Sequence, residues 1–153
     1  MEEVQEFKAL GKRVEKYNFN YDKEALESIH KHFKNAPLIK IVAPEFTCLC
    51  PITGQPDFAT IYINYVPNEY IVESKSLKLY LFSFRDVGIF HEDIVDKILN
   101  DLINLLDPLY IEVIGSFNAR GGISITPFAN YAKQDSKYSS WVNERKFNFS
   151  AKI

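Results

Sequence analysis

The chain has 153 residues, of which 46% are apolar and 14% aromatic, and it carries a formal net charge of −2. This composition excludes disorder over most of the chain, and the length favours a single domain spanning residues 1–153. No apolar run approaches the ~18 residues of a membrane helix, the N-terminus is acidic and unlike a leader, and 18 basic against 20 acidic residues argue against a nucleic-acid binder. We therefore expect a cytoplasmic protein without a membrane or direct nucleic-acid partner.

The first predicted element follows a polar N-terminal segment, residues 1–21, in which Leu10-Gly11 marks a turn. Asp22 is a favourable N-cap, and the apolar spacing after it predicts a helix over about 23–34. The residues expected on its buried face are Leu26, Ile29 and Phe33. His30 and His32 fall off that face and are expected to be exposed.

Two strands are predicted next. Residues 38–42 are apolar and β-branched, and they predict a strand entered through Pro37 and left through Pro44. A loop over 45–56 then leads to a strand over 58–66, in which Ala59, Ile61, Ile63 and Tyr65 share one face.

The spacing changes to a helical period from Ser74. A first helix runs from there to near Asp86-Val87-Gly88, and a second helix with a broad apolar stripe covers about 90–106. A strand over 110–117, a turn over 118–122 and a hairpin partner over 123–127 follow. The polar tail, residues 129–153, is assigned no structure. The order β-β-α-α-β-β predicts an α+β fold, an antiparallel sheet with two helices on one face.

The chemistry-bearing residues gather around the first hairpin. Cys50 precedes Pro51, which favours an extended backbone, and Asp57 begins the next strand. A loop that folds back at Thr53-Gly54 brings a thiol nucleophile and a proton-transfer group together. The alternative is that Cys50 is a small buried side chain and Asp57 caps a turn. Cys48 is expected to pack.

A metal site is not expected. The two cysteines and the three histidines, His30, His32 and His91, do not supply four suitably spaced zinc ligands without help from carboxylates.

Four separated motifs resemble one enzyme family. The segment Glu45–Phe58, with the letters EFTCLCPITGQPDF, resembles the active-site loop of the NADPH-dependent 7-cyano-7-deazaguanine reductases. Residues 73–80, ESKSLKLY, are similar to the signature of that family. Phe90-His91-Glu92-Asp93 and the run 120–124, RGGIS, follow in the family's order. The resemblance runs from about Pro44 to the tail and is to the short, single-module form.

The resemblance implies a tunnelling fold, whose β-β-α-α-β-β subunits join edge to edge into a multi-subunit barrel with sites between subunits. It also implies that a nitrile is reduced to a primary amine, a step toward queuosine in tRNA, with two NADPH consumed. Cys50 would add to the nitrile carbon and form a covalent thioimide. Asp57 would protonate the nitrile nitrogen and remain the acid during reduction.

The resemblance further implies a pocket for the base. Glu92 would accept hydrogen bonds from the guanine-like edge, and His91 would lie beside the reacting group. Val72, Glu73 and Ser74 would line the pocket. Without the resemblance, Glu92 is an ordinary carboxylate at a helix N-terminus, where the helix dipole stabilises it.

The cofactor would be held by side-chain cations, because no Gly-x-Gly-x-x-Gly follows a strand. Lys75 and Lys78 stand three residues apart on one helix face. Arg120, at the Gly-Gly turn, can offer a planar guanidinium to a phosphate or to the nicotinamide end. For each, the alternative is an ordinary solvated charge.

Two other functions remain open. A zinc-dependent GTP cyclohydrolase shares the fold and a purine-like substrate, but this chain departs from its ligand pattern. A non-catalytic oligomeric purine-binding protein would lack the pairing of Cys50 with Asp57.

Overall fold

The computed structural model describes residues 7–14 and 16–149. A four-stranded antiparallel sheet in the order β2-β3-β5-β6 forms its centre, and a two-stranded sheet joins β1 to β4. The strands are β1 (Ser28–His30), β2 (Ile39–Leu49), β3 (Pro56–Val66), β4 (Tyr70–Val72), β5 (Tyr110–Phe117) and β6 (Phe128–Ala132). The helices are α1 (Ser74–Phe82), α2 (His91–Leu106) and α3 (Trp141–Asn148), and a 3-10 turn covers Lys23–Ala25.

Helices α1 and α2 pack on one face of the four-stranded sheet, as the sequence predicts. The alternate β3 residues Ala59, Ile61, Ile63 and Tyr65 are all buried, together with Ile111 and Val113 of β5. From the helices, the same core receives Leu77, Tyr80, Ile94, Ile98 and Leu102, among others. The strand over 58–66, the strand over 110–117, both helices and the antiparallel α+β architecture are therefore confirmed. Helix α1 ends at Phe82, however, before the predicted end near Asp86-Val87-Gly88.

The boundaries of α1 and α2 have local causes. Glu73 caps α1, because its two carboxylate oxygens accept hydrogen bonds from the N–H groups of Lys75 and Ser76 at 2.9 and 2.7 Å. Helix α2 ends at Asp107, whose φ of 42° is left-handed. None of the helices among the described residues is long and apolar enough to cross a membrane.

The helix predicted over 23–34 is wrong. Asp22 does cap a turn, accepting from the N–H of Glu24, but that turn ends at Ala25. Residues 28–30 then form β1, which pairs with the distant β4. The hydrogen bonds of this long-range pairing replace those of a helix that has only three apolar residues on its face. His30 and His32 are exposed as predicted.

Two strand limits also differ from the sequence prediction. Strand β2 does not stop at Pro44: it runs to Leu49, with a register shift between Ala43 and Phe46 that accommodates the proline at an edge. The loop predicted over 45–56 shrinks accordingly to 50–55. The hairpin partner predicted over 123–127 is displaced, because β6 begins at Phe128.

The C-terminal helix, which the sequence left unassigned, covers part of the second face of the sheet. Arg145 on α3 donates to both carboxylate oxygens of Glu112 on β5, at 2.8 and 2.9 Å. Tyr110 and Asn64 also donate to Glu112, at 2.6 and 2.8 Å. Burial acts to raise the pKa of Glu112, but these hydrogen bonds outweigh it and hold the pKa below its usual value.

Candidate active site

The site is built on the β2–β3 hairpin. Cys50 follows the last residue of β2, and Asp57 is the second residue of β3. Between them the chain closes a tight loop, in which the N–H of Cys50 donates to the carbonyl of Gln55 at 2.8 Å and the N–H of Gly54 donates to the carbonyl of Cys50 at 2.9 Å. The φ of Gly54 is 69°, a left-handed conformation that favours glycine. The short loop therefore holds Cys50 near the start of the strand that carries Asp57.

A neighbouring segment supports the same loop. Leu49 exchanges hydrogen bonds with Val87 and Ile89, at 2.9 and 3.1 Å. Between these partners lies Gly88, where an added Cβ would stand 3.2 Å from the Cα of Pro51. The backbone of the loop thus packs closely against the residues just before α2.

The loop activates the thiol. The hydroxyl of Thr53, followed by the backbone N–H groups of Thr53 and Ile52, lowers the pKa of Cys50 to about 7, and Arg120 adds a smaller contribution. A thiol with that pKa is about half ionised at neutral pH. From the sequence alone, Cys50 is a thiol of ordinary pKa, and no effect of Thr53 on that pKa is predicted. The signal for such an effect is the position of Thr53, three residues after the cysteine in a loop that contains Pro and Gly.

Cys48 differs from Cys50 in both its burial and its pKa. It is completely buried in the core, as predicted, and it stands opposite Asp57 in the β2–β3 register. Burial, with the negative charge of Asp57, raises the pKa of Cys48 to about 12. Cys48 is therefore a packing residue, and Cys50 is the thiol whose pKa is lowered.

Asp57 lies between two cationic or potentially cationic groups. Its side chain is 4% exposed; Nε of Arg120 stands 2.8 Å from Oδ1, and Nε2 of His91 stands 3.2 Å from Oδ2. Among the described residues, no donor is aligned for a hydrogen bond to Oδ2. Oδ1 is therefore occupied by the guanidinium, and Oδ2 is the oxygen that has no aligned donor among the described residues.

Arg120 reaches Asp57 from a tight turn. Its backbone N–H and C=O bond to Ile123 at 2.9 and 3.1 Å, and Gly121 and Gly122 between them have φ values of 58° and 81°. Positive φ at both central residues is the requirement of a two-residue hairpin turn of type I′. A second guanidinium nitrogen lies 3.5 Å from Oε1 of Gln55. Arg120 thus joins the turn after β5 to the hairpin loop.

His91 is the first residue of α2, and its ring stacks on Phe117 of β5. The ring centroids are 3.8 Å apart and the planes differ by 8°. The side chain of His91 is 11% exposed, whereas Glu92, the next residue, is exposed in the first turn of the helix. The sequence did not single out Phe117, since an aromatic residue ending a strand is an ordinary core residue.

The segment Val72-Glu73-Ser74 belongs to a different part of the molecule. Val72 and Ser74 line a cavity of about 880 Å³ between β2 and α1, with Pro44, Tyr65 and Leu77 among the other lining residues. Cys50 and Asp57 are not among the residues that line it. Glu73 is buried as the cap of α1, and Val72 donates its N–H to the hydroxyl of Tyr65 at 3.2 Å.

The two lysines predicted for the cofactor stand on α1 near that cavity. Lys78 is exposed and lines it, and its Nζ lies 5.7 Å from the ring centroid of Tyr17. Lys75 donates its Nζ to the carbonyl of Lys12. Arg120 lies at Asp57, so the structure divides the three predicted cations between two places.

Among the described residues, no three His, Cys, Asp or Glu side chains are arranged to hold a metal ion. Of the donors near Cys50, the carboxylate of Asp57 is already engaged by Arg120.

Comparison with known proteins identifies similar sequences over almost the whole chain. A family described as QueF-like protein matches residues 56–136. An NADPH-dependent 7-cyano-7-deazaguanine reductase of Staphylococcus saprophyticus is 57% identical over 148 residues, which cover 96% of this chain and 89% of that protein. Reductases of the same name from Staphylococcus haemolyticus and Staphylococcus aureus strain JH9 are 57% and 56% identical over the same shares.

The fold has a solved counterpart. The crystal structure of the archaeosine synthase QueF-Like in the apo form superposes with a TM-score of 0.61 at 20% identity, covering 65% of this chain and 98% of that chain. At that identity the likeness concerns the fold alone, and it agrees with the antiparallel sheet and its two packed helices.

Proposed function

This chain belongs to the family of the NADPH-dependent 7-cyano-7-deazaguanine reductases, and from that membership we propose that it reduces the nitrile of 7-cyano-7-deazaguanine to the primary amine, a step of queuosine biosynthesis. The observation that carries the proposal is the pairing on one hairpin of a thiol with a lowered pKa, Cys50, and a buried carboxylate, Asp57, one oxygen of which has no aligned donor among the described residues. Nitrile reduction through a covalent adduct needs both groups at one place.

The first step is addition of Cys50 to the nitrile carbon. The sulfur forms a bond to carbon while one π bond of the nitrile opens, and the nitrogen takes one proton. The thiol proton reaches that nitrogen through Oδ2 of Asp57, so the step is balanced and its product is a thioimide. Arg120 holds Oδ1 during the transfer, which keeps the second oxygen directed to the proton path.

Reduction of the adduct to the amine requires two hydrides, which NADPH supplies when it is bound. The protein keeps the carbon attached to Cys50 until the first hydride has added; the carbon–sulfur bond then breaks, the thiolate of Cys50 leaves, and the resulting imine takes the second hydride inside the site, away from bulk water. Asp57 is the acid in these later steps as well, since protons must reach the same nitrogen.

Recognition of the deazaguanine base is assigned to a carboxylate and its neighbours. Glu92 is exposed beside His91 at the start of α2, where its carboxylate can accept from a ring N–H and an exocyclic amine. Val72, Glu73 and Ser74 would form the other part of the pocket from a neighbouring subunit, and Glu73 acts there as the support of the α1 terminus.

The residues present fit a dinucleotide phosphate. The cavity beside α1 has a volume in the range of ligand sites, and Lys78 lines it. Lys75 stands one helical turn earlier on the same face. These two lysines would hold the phosphates of NADPH, and Arg120 would contact its nicotinamide end from its place beside Asp57.

The complete site requires a second copy of the chain. Within one chain, the cavity lined by Val72 and Ser74 is not lined by Cys50 or Asp57. The sheet also ends in two strands, β2 and β6, with open edges. Edge-to-edge assembly into a barrel would satisfy those edges and bring the second half of a site from a neighbouring subunit.

Residues 1–153 act as one domain in the cytoplasm. A reducing compartment suits the mechanism, because both cysteines are free and Cys50 must remain a thiol.

The test is to add 7-cyano-7-deazaguanine to metal-free protein and follow NADPH absorbance. Two NADPH should disappear for each nitrile. Without NADPH, intact mass spectrometry should show one substrate adduct, which Cys50→Ala loses and Cys48→Ala retains. Full turnover by the Cys50→Ala variant would refute the mechanism.

A further inference from the structure

We propose that Phe117 is a positioning residue for the reaction: its ring fixes His91 so that Nε2 of the imidazole faces Oδ2 of Asp57. This inference rests on the proposed function and extends the site to a residue of the sheet that has no reactive group of its own. It starts from the stacked contact between the two rings, with 3.8 Å between centroids and 8° between planes.

A parallel stack restricts the imidazole more than ordinary packing does. Rotation of the His91 ring about its Cβ–Cγ bond would drive its edge into the face of Phe117, so the ring plane is held. Phe117 is itself only 3% exposed and is fixed in the core. The direction of Nε2 is therefore set from the sheet and not by the helix terminus alone.

The position of Phe117 depends on a glycine two residues earlier. Gly115 lies on the same strand face, and a Cβ at that position would stand 2.7 Å from Cε2 of Phe117 and 2.9 Å from a methyl group of Val95. Neither distance is compatible with a real side chain. The absence of a side chain at Gly115 thus leaves the space that the ring of Phe117 occupies.

The contacts from Phe117 through His91 end at Oδ2 of Asp57, the oxygen that passes the proton to the nitrile nitrogen in the proposed reaction. Oδ2 of Asp57 is buried, and among the described residues it has no aligned hydrogen-bond donor, yet Nε2 of His91 stands 3.2 Å away. A small rotation of the imidazole changes whether it can exchange a proton with Oδ2. Because displacements of about 1 Å can cost up to ~100-fold in rate, a residue that holds this ring should affect the rate of the chemical step.

The test is the rate of thioimide formation without NADPH, measured by mass spectrometry at saturating nitrile. Phe117→Leu should slow adduct formation about tenfold while nitrile affinity stays within about twofold. Phe117→Met, which fills the space with a flexible apolar chain, should give the same result if the leucine variant does not fold. An unchanged rate in the variant that folds would overturn the proposal.

A matched control separates positioning from general loss of packing. Phe84 is a fully buried phenylalanine of the same core; among the described residues its ring is tilted against Phe46 and edge-on to Tyr80, and it makes no ring contact with His91. Phe84→Leu should lower the melting temperature to a similar extent and leave the rate of adduct formation unchanged. An equal slowing by Phe84→Leu would show that packing alone is responsible.

A double-mutant cycle locates the effect. In a His91→Ala background, Phe117→Leu should change the rate by less than about twofold, because the ring it positions is gone. An undiminished tenfold effect would mean that Phe117 does not act through His91.

Independently of activity, the ring protons of His91 should move downfield in the NMR spectrum of Phe117→Leu, while those of His30 and His32 stay in place. Unmoved His91 signals would also overturn the proposal, whereas a wild-type protein that forms no adduct would refute the proposed function itself.

Discussion

Nε of Arg120 lies 2.8 Å from Oδ1 of Asp57, so the turn that follows β5 reaches directly to the carboxylate at the start of β3. An Arg–carboxylate contact of this length is a charge-assisted hydrogen bond. Arg120 therefore contacts Asp57 directly, without a bound cofactor.

Loss of this contact should be visible without NADPH. Arg120→Gln should slow thioimide formation about tenfold, because Oδ1 is released and the carboxylate can rotate. Arg120→Lys should recover part of the rate, since it restores the charge but not the planar donor. The rate is measured by intact mass. If Arg120 serves only the cofactor, the rate of adduct formation will be unchanged in both variants and only the KM for NADPH will rise.

Thr53 should control the ionisation of Cys50. In the wild type, alkylation of Cys50 by iodoacetamide should increase with pH through a midpoint of about 7, because the thiolate is the reactive form. Thr53→Val removes the hydroxyl that contributes most and should raise the midpoint by roughly one pH unit. Peptide mass mapping checks the modified position, and Cys48 should remain unlabelled because it is completely buried.

A second threonine of the hairpin provides the control. Thr60 is half-buried on β3 and is not among the groups that shift the pKa of Cys50. Thr60→Val should leave the midpoint where it is. A wild-type midpoint near the ordinary thiol value of ~8.5 would contradict the activation by the loop.

Glu92 should determine affinity for the base. In a Cys50→Ala background, which blocks covalent chemistry, Glu92→Gln should weaken binding of 7-cyano-7-deazaguanine about tenfold or more, as loss of charge-assisted hydrogen bonds does. Calorimetry gives the affinity. Asp93→Asn is the matched control, since Asp93 is also an exposed acid in the first turn of α2. Equal weakening by both changes would indicate an effect of the helix dipole and not of base recognition.

The Glu112–Arg145 pair should contribute to stability in a pH-dependent way. Arg145→Met leaves a nearly buried carboxylate without its main partner and should lower the free energy of unfolding by about 2 kcal/mol at neutral pH. The pKa of Glu112 is lowered on folding, so the wild type holds this stability above the unfolded pKa and loses it as the pH falls through the folded pKa. The difference between the two proteins should therefore shrink in acid.

Urea denaturation at several pH values measures that difference. Lys146→Met removes the neighbouring, exposed charge of α3 and should change stability by less than about 0.5 kcal/mol. If the free energy of unfolding lost in Arg145→Met does not depend on pH, then packing of the arginine stem, and not the ion pair, stabilises α3.

Most of the sheet and both long helices could be predicted because their signals are local. The alternation of side chains along 58–66 is typical of a strand, and the apolar stripe of 90–106 is typical of a helix. Neither pattern fits the other structure. The helix predicted over 23–34 is wrong because three apolar positions cannot outweigh strand pairing with β4, whose residues lie 40 to 44 positions later. Helix α3 is held by Arg145 on Glu112, and no pattern near Arg145 reveals a partner 33 residues earlier.

In the candidate site, too, local features could be predicted from the sequence and contacts between distant residues could not. Cys50 and Asp57 were identified together because a short loop separates them, and the structure places them on one hairpin. The contact of Thr53 with Cys50 could not be predicted, because it depends on how the loop folds. The stacking of Phe117 on His91 could not be predicted either, because the two residues lie on different elements. The contact of Arg120 with Asp57 crosses from the far turn of the sheet and is visible only once β3 and β5 are paired in register.

The register of β2 and β3 sets a rule for engineering this protein. Cys48 pairs with Asp57 across the hairpin, and neighbouring side chains on a strand point to opposite faces. Inserting or deleting one residue between Cys50 and Asp57 would force either the loop or the pairing to slip, and a slip by one would turn Asp57 away from Arg120 and His91. Loop grafts and peptide tags therefore belong at the turn of residues 133–136, where a change of length leaves the distance between thiol and carboxylate untouched.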